Sequence, residues 1–180
     1  MPADHSLGQL ILVDSADNEI GYEAVTECHS GNLKLHRAFS VFVFNDAGEM
    51  LNTQRSSKKN TWPLFWSNAC CSHPRKGEDI ETAASARLMM ELGITASVNL
   101  LFKFEYRAQY DDNWGEHELD WVFFAHCNGP GEVNADEIND WEFIQIDELK
   151  RQVSSNPAKF TPWFRLCLDR VLHVSEGSQR

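Results

Sequence analysis

The alternation of hydrophobic and polar positions along the chain predicts a domain in which strands outnumber helices. Six segments carry the apolar runs or the two-residue alternation typical of strands: 8–14, 38–45, 49–55, 99–110, 118–127 and 141–146. The turn at 46–48 joins the second and third segments, so we expect a hairpin there. The polar stretch 111–117 is expected to form a turn between the fourth and fifth.

Helical spacing is found in fewer places. Apolar residues recur at helical spacing over 80–92, and Gly93 follows as a stop signal. A short helix is predicted over 147–153. Thr161 and Pro162 form a suitable cap and first turn for a final amphipathic helix that ends near residue 174.

The segment 56–79 has no clean period and contains two prolines, so it is expected to be a long loop of the kind that usually carries function. The order of strands, helix, strands and helices predicts an α+β fold rather than a regular βαβ chain. No repeat or linker divides the sequence, and 180 residues suit one domain, so we expect a single domain over 1–180 with its core at about 8–170.

Charge and cysteine content exclude several classes of protein. The 27 acidic and 16 basic residues give a net charge of −11, which argues against a nucleic-acid surface. The sequence contains no basic amphipathic stretch that would bind a membrane surface. Its longest apolar run, Trp121–Ala125, is too short to cross a bilayer. Acidic residues and no basic n-region at the N-terminus argue against a signal peptide. Five cysteines without a CxxC pair suit free thiols in the cytoplasm. The sequence shows no stripe of apolar residues suited to a subunit interface, so we expect a monomer.

Three histidines and two glutamates have the residue types and spacing of a metal site. His29 and His36 precede a predicted strand, His73 lies in the long loop, and Glu116 and Glu118 are two residues apart near another strand. Residues at i and i+2 of an extended chain point to one side, so the two carboxylates can converge. Such a set suits Mn²⁺, Fe²⁺ or Zn²⁺, and its carboxylates tolerate Mg²⁺. On spacing alone, surface histidines and a solvated strand face are the commoner interpretation of such residues.

Cys71 is the candidate reactive thiol. It lies in the long loop beside polar residues and two positions before His73, where a metal or cation would shift its pKa. The alternative is a small buried hydrophobic residue. Cys70 would face the opposite way in an extended segment. The sequence contains no G-x-S-x-G pattern and no P-loop.

The segment Ser72–Ile94 resembles a degraded Nudix box, the pattern G-x5-E-x7-R-E-U-x-E-E-x-G-U. Five positions fit the pattern: Glu78, Leu88, Glu91, Gly93 and Ile94. Four depart from it: Ser72, Ala86, Arg87 and Met90. Nudix hydrolases use the box carboxylates to hold Mg²⁺ on a diphosphate. The resemblance therefore implies a Nudix-like mixed-sheet α/β/α sandwich that is poorly equipped for pyrophosphate hydrolysis.

Several longer stretches resemble the type I isopentenyl-diphosphate Δ-isomerases, a branch of the Nudix superfamily. They stand in that family's order and spacing: RAFSVFVFN, LNTQRSSKK, WPLFWSNACCSHP, MELGI, FEYRAQY, EHELDWVFF and FTPW. The resemblance implies an isomerase of isoprenoid biosynthesis that interconverts isopentenyl diphosphate and dimethylallyl diphosphate by metal-assisted protonation and deprotonation.

The same resemblance implies roles for individual residues. The three histidines and two glutamates would hold one divalent metal, Mn²⁺, Zn²⁺ or Mg²⁺. Cys71 and Glu118 would move protons on opposite faces of the substrate, with Tyr106 in the proton network. Trp163 would lie over the hydrocarbon end, and Glu91 would contact a Mg²⁺ that bridges the diphosphate.

Arg55, Lys59 and Ser72 match the family's diphosphate contacts. The family usually has a lysine a few residues before the first metal histidine, but here that stretch is EAVTEC. The missing contact would be absent or would come from Lys34 or Lys58. Two alternative functions are a Nudix pyrophosphohydrolase with relaxed box requirements and a non-catalytic metal-binding or partner-binding module.

Overall fold

Among residues 8–178, which the computed structural model of the protein describes, nine strands form one sheet. The strands are β1 (Gln9–Val13), β2 (Glu19–Ala24), β3 (His36–Phe44), β4 (Met50–Arg55), β5 (Trp66–Ser67), β6 (Cys70–Ser72), β7 (Asn99–Gln109), β8 (Gly115–His126) and β9 (Ile138–Ile144). The helices are α1 (Val25–His29), α2 (Ile80–Leu92), α3 (Ile146–Ser155) and α4 (Pro162–Ser178), with a 3₁₀ turn at Pro157–Lys159.

The sheet is mixed, and β3 lies at its centre. β3 runs parallel to β8 from the pair His36–Glu118 onward, and antiparallel to β6 and β1. β7 and β8 form a long antiparallel hairpin. The hairpin expected between β3 and β4 is formed only at the pair Phe44–Met50, because β4 then turns away to pair with β5 and β9.

Helices cover both faces of this sheet. Side chains alternate along a strand, so Val41 and Val43 pack against α2 while Phe42 and Phe44 pack against α4. All four are almost fully buried, which explains why β3 reads as one apolar run. This arrangement confirms the predicted α+β fold with helices on both sides of a mixed sheet.

The helix α2 has the bounds that the sequence predicts. The Asp79 side chain caps its first turn by accepting a hydrogen bond from the Thr82 backbone N–H at 2.9 Å. Gly93 ends it in the left-handed conformation, at φ 62°, which favours glycine. The backbone N–H of Gly93 bonds to the Met89 carbonyl. No helix in the described part of the chain has both the length and the apolar character needed to cross a membrane.

Several short elements were not predicted. The segments of β2 and α1 carry no clear apolar period, and β2 is held by its pairing with β1. The long loop contains β5 and β6, which are too short for any period to be read. β8 begins at Gly115, inside the expected turn. The sequence did not predict this start, because the inward side chains there are carboxylates rather than apolar groups. At the C-terminal end, β9 occupies 138–144 rather than 141–146.

Candidate active site

The five candidate metal ligands converge at one point. His29 ends α1, His36 begins β3, and His73 directly follows β6, while Glu116 and Glu118 lie on the same face of β8. One ligand atom from each of the five lies within 4.8 Å of the others. The Glu118 Oε1 atom is 2.8 Å from His73 Nε2 and 3.5 Å from His36 Nε2, and Glu116 Oε2 is 2.8 Å from His29 Nδ1. His117, between the two glutamates, faces away and pairs with Glu105.

Surrounding backbone groups orient the ligands toward that point. His36 Nδ1 lies 2.8 Å from the Lys34 carbonyl, so it carries the proton and leaves Nε2 as the free nitrogen. Both His36 Nε2 and Glu116 Oε2 are buried and make no hydrogen bond. The Nδ1 atom of His29, although close to Glu116, bonds to the Gly115 carbonyl instead. Buried polar atoms are normally paired, so these two orphaned atoms and the donor set fit a divalent cation.

The charges of the cluster are strongly coupled. Burial raises the pKa of Glu118, but the adjacent imidazoles of His36 and His73 outweigh it and hold the pKa well below its usual value. Burial raises the pKa of Glu116, which His29 opposes. Burial also lowers the pKa of His73 to about 3, whereas the charge of Glu116 outweighs burial and raises the pKa of His29 to about 9. Glu118 is therefore the carboxylate that stays ionised most readily.

Cys71 lies on β6 at the floor of the same cavity, and its thiol is held by two polar side chains. The Sγ atom donates to Asn68 Oδ1 at 3.2 Å and lies 3.4 Å from Ser40 Oγ. Ser40 in turn donates to the buried Asp120 at 2.7 Å. Burial, reinforced by the charge of Asp120, raises the pKa of Cys71 to about 12. The thiol is therefore protonated at neutral pH.

Tyr106 and Trp163 connect the thiol side of the cavity to the carboxylate side. The Tyr106 hydroxyl donates to Glu118 Oε2 at 2.6 Å, and burial raises the pKa of this phenol well above its usual value. The Trp163 indole N–H donates to Asn68 Oδ1, the same atom that accepts from Cys71. The rings of Tyr106 and Trp163 lie 6.1 Å apart. An aromatic wall thus spans the distance between the thiol and the carboxylate.

The cavity has a volume of about 620 Å³, within the usual range for a small-molecule site. Arg55, Lys59 and Ser72 line it, as does Lys58, whereas Lys34 does not. Lys34 pairs with Glu23 instead. The Arg55 guanidinium lies 5.3 Å from the centre of the Trp163 ring and donates to backbone carbonyls of the loop that follows β4.

Two predicted site residues lie outside the cavity wall: His36, which is fully buried in the metal cluster, and Glu91. Glu91 is buried near the end of α2, and its carboxylate pairs with Arg87 one helical turn earlier. Arg87 does line the cavity and also pairs with Glu137. A direct contact from Glu91 to a metal in the cavity would require its carboxylate to turn away from Arg87.

Sequence reasoning missed several members of the site. Arg87 was counted only as a lost acid of the Nudix box, although an arginine at a buried helix position is itself a signal of an anion or an acid nearby. Ser40 carries no sequence signal, because it reaches Cys71 only through the pairing of β3 with β6. Asn68 is close to Cys71 in sequence but lies in the long loop, where no period marks it. Thr61, which donates to Glu116 Oε1 at 3.2 Å, was similarly hidden in the loop.

Comparison with known sequences identifies similar proteins over most of the chain. The NUDIX domain profile matches residues 34–164. The isopentenyl-diphosphate Delta-isomerase 2 of Aromatoleum aromaticum is 38% identical over 164 residues, which cover 91% of this chain and 86% of that protein. The isopentenyl-diphosphate Delta-isomerase II of Clarkia breweri is 39% identical over an alignment that covers 94% of this chain and 70% of that protein.

Comparison with solved structures supports the fold. A MutT protein from Methanosarcina mazei matches with a TM-score of 0.63 at 14% identity, covering 81% of this chain and 96% of that one. A MutT NUDIX hydrolase from Burkholderia pseudomallei matches with a TM-score of 0.61 at 22% identity, covering 76% of this chain and 98% of that one. At these identities the likeness concerns the fold alone.

Proposed function

The chain belongs to the isopentenyl-diphosphate Δ-isomerases of the NUDIX family, and from this premise we propose how its residues carry out the reaction. It interconverts isopentenyl diphosphate and dimethylallyl diphosphate, which moves one carbon–carbon double bond. A proton must be added at one end of the alkene and removed two carbons away. The intermediate, full or partial, is a tertiary carbocation.

The metal site of this proposal is the cluster of three histidines and two glutamates. A divalent cation bound there, Mn²⁺, Zn²⁺ or Mg²⁺, would offset the two negative charges and lower the basicity of the bound carboxylate oxygen. The unpartnered His36 Nε2 and Glu116 Oε2 atoms support its presence. The Lys34 carbonyl keeps the ring of His36 in the orientation that such a ligand requires.

Cys71 and Glu118 are the proposed proton carriers. The thiol is protonated at neutral pH and the carboxylate is ionised, so one is ready to donate and the other to accept. Tyr106 binds the second oxygen of Glu118 and can relay its proton. The reverse reaction uses the same two groups in exchanged roles.

Trp163 stabilises the positive charge that develops between the two proton carriers. Its ring face offers cation–π stabilisation of about 2 kcal/mol in a desolvated site, without a nucleophile that would trap the cation. The indole N–H is engaged by Asn68, which fixes the plane of the ring. Trp62 packs edge-on at 5.4 Å and helps to exclude water.

The diphosphate binds at the cationic side of the cavity. Arg55, Lys59 and Ser72 are its proposed contacts, and Arg87 is a further cation on the same wall. A second cation, Mg²⁺, would bridge the diphosphate through Glu91, in line with the single carboxylate that the degraded box retains. This last contact stays a prediction, because Glu91 now pairs with Arg87.

The observation that carries the proposal is the meeting of a protonated thiol, an ionised carboxylate and a tryptophan face in one cavity. The test is to incubate the protein with isopentenyl diphosphate, Mg²⁺ and Mn²⁺ and to follow dimethylallyl diphosphate by NMR. We expect conversion to an equilibrium mixture. The same assay with Glu118→Gln should show no turnover.

A pyrophosphohydrolase is the less supported alternative. Ala86 and Met90 stand where the hydrolase pattern has charged residues, so α2 offers only Glu91 to a metal near its C-terminal end. We therefore expect no release of phosphate from nucleoside diphosphate derivatives in the presence of Mg²⁺. Rapid cleavage of these compounds together with no isomerisation would replace the isomerase proposal.

A further inference from the structure

Five cationic side chains line the cavity, but most of them are already engaged by acids of the same chain. They are Arg55, Lys58, Lys59, Arg75 and Arg87. Lys58 pairs with Asp136, and Lys59 pairs with Glu137. Arg87 pairs with both Glu91 and Glu137. The diphosphate therefore has to compete with internal carboxylates for three of the five cations.

The two remaining arginines differ in how their guanidinium groups are used. Arg55 donates three hydrogen bonds to the carbonyls of Thr61 and Trp62. Arg75 makes no side-chain hydrogen bond or ion pair with any residue in the range 8–178, and its Nη1 atom is buried without an acceptor. An unmet donor on a charged group is costly, so its presence on a cavity wall indicates a ligand that supplies the acceptor.

The local backbone holds Arg75 in this position. Its backbone pairs with Leu10 in an isolated antiparallel bridge, and its backbone N–H bonds to Glu78 at 2.9 Å. The guanidinium packs directly over Gly8, where an added Cβ would lie only 1.7 Å from Nη1. Because position 8 is glycine, the group can lie flat against the chain at the edge of the cavity.

The neighbouring wall, where the Val25 backbone N–H bonds to the Gly8 carbonyl, supplies the reason that such a cation is needed. The helix α1 faces the cavity with Val25 and Thr26, neither of which is charged, and with His29, which belongs to the metal cluster. The nearest lysine beyond α1, Lys34, is turned outward to Glu23. The wall between α1 and the metal cluster thus offers no cation of its own to a doubly charged phosphate group.

We propose that Arg75 is a diphosphate-binding residue of this protein and supplies the cation that α1 lacks. Its planar fork can bind two phosphate oxygens at once, which satisfies the donor now buried without a partner. The inference rests on the proposed isomerase function. It adds a residue at an unspecified position of the Nudix box pattern and outside the metal cluster, and it places one end of the diphosphate near His73.

The test compares Arg75→Gln with Lys76→Gln. Lys76 is the matched control, because it is the next residue, carries the same charge and points away to the ring of Tyr22, at 4.4 Å. Arg75→Gln should raise the KM for isopentenyl diphosphate by about ten- to a hundredfold, the loss of one charge-assisted contact. It should leave kcat within about twofold, since the contact is remote from the reacting carbons. Lys76→Gln should change neither value.

Two further measurements separate this inference from the proposed function. Titration of inorganic pyrophosphate with Mg²⁺ into each variant should show the same loss of affinity for Arg75→Gln alone, whether or not turnover occurs. Adding Val25→Lys to Arg75→Gln should restore binding, because it puts a cation on the α1 wall. Failure of the wild type to isomerise its substrate would overturn the function.

Three results would overturn the role of Arg75 while leaving the isomerase intact. The first is an equal KM for Arg75→Gln and Lys76→Gln. The second is a fall in kcat at unchanged KM and unchanged pyrophosphate affinity. The third is a double variant with Val25→Lys that binds no better than Arg75→Gln. Melting temperatures measured alongside check that each variant is folded, and Arg75→Lys, which keeps the charge, replaces Arg75→Gln if that variant is not.

Discussion

Replacing each of the adjacent cysteines by alanine should separate catalysis from stability. Cys71 lines the cavity, whereas Cys70 points to the other face of the sheet and packs against α2. Cys71→Ala removes the thiol that is proposed to donate a proton to the alkene. We expect kcat to fall by about 10⁴-fold, the upper end of general acid–base contributions, because an unactivated alkene is a very weak base.

Cys71→Ala should be the less active of the two variants but the more stable one. After Cys71→Ala, Ser40 still donates to Asp120, and Asn68 Oδ1 still accepts from Ser67 and Trp163. No buried polar atom of these groups loses its last partner. After Cys70→Ala, a fully packed sulfur is lost from the α2 side of the core, which costs about 1 kcal/mol. Cys70→Ala is therefore the less stable protein but keeps most of its activity.

The assay pairs steady-state isomerisation with urea denaturation of the same preparations. A loss of turnover confined to Cys71→Ala, with the larger loss of unfolding free energy in Cys70→Ala, is the expected result. If Cys70→Ala lost as much turnover as Cys71→Ala at unchanged stability, the thiol assignment would be wrong. The same conclusion would follow if Cys71→Ala kept normal turnover.

Three other predictions concern the metals and the carbocation. Binding of Mn²⁺ near pH 7 should release about one proton, because the pKa of His29 is raised to about 9 and a metal ligand must be neutral. The affinity for Mn²⁺ should then rise with pH up to about 9. Calorimetry in buffers of different ionisation enthalpy measures the released proton, and no proton uptake by the buffer would contradict this reasoning. Trp163→Ala should lower kcat by about 30-fold through the loss of about 2 kcal/mol of cation–π stabilisation, and Trp163→Phe should lower it less. Equal losses from both would count against the ring face. Glu91→Gln should raise the Mg²⁺ concentration needed for half-maximal turnover without changing Mn²⁺ affinity, and an unchanged Mg²⁺ dependence would remove Glu91 from the diphosphate site.

The sequence predicted those parts of the molecule whose residues are chemically distinctive or periodic. α2 was predictable because its apolar spacing and its terminal glycine are local signals. The metal cluster was predictable as a set of residue types, since histidines and paired glutamates stand out in an acidic chain. The strands β2, β5 and β6 were not, because pairing with neighbouring strands holds them rather than any pattern of their own.

The polar support of the site depends on contacts between distant segments. Ser40, Asn68 and Asp120 come together only when β3 lies between β6 and β8. The sequence shows that position 87 is an arginine, but only the fold shows that its side chain lines the cavity and pairs with two acids. The neutralisation of Lys58 and Lys59 by their acidic partners was equally hidden.

The net charge of −11 does not prevent this protein from binding an anionic substrate. Some of its acids lie where they can bind cations, both in the metal cluster and opposite Lys58 and Lys59. An acidic protein can bind a small anion when its acids first bind metals. We therefore expect substrate binding to be weak in the absence of divalent cations.

The most direct test of the account is isomerisation in D₂O followed by NMR. Purified protein with Mg²⁺ and Mn²⁺ should convert isopentenyl diphosphate into dimethylallyl diphosphate that carries deuterium in the new methyl group, because the added proton comes from an exchangeable group of the protein. Conversion without deuterium in that methyl group, or no conversion with both metals present, would contradict it.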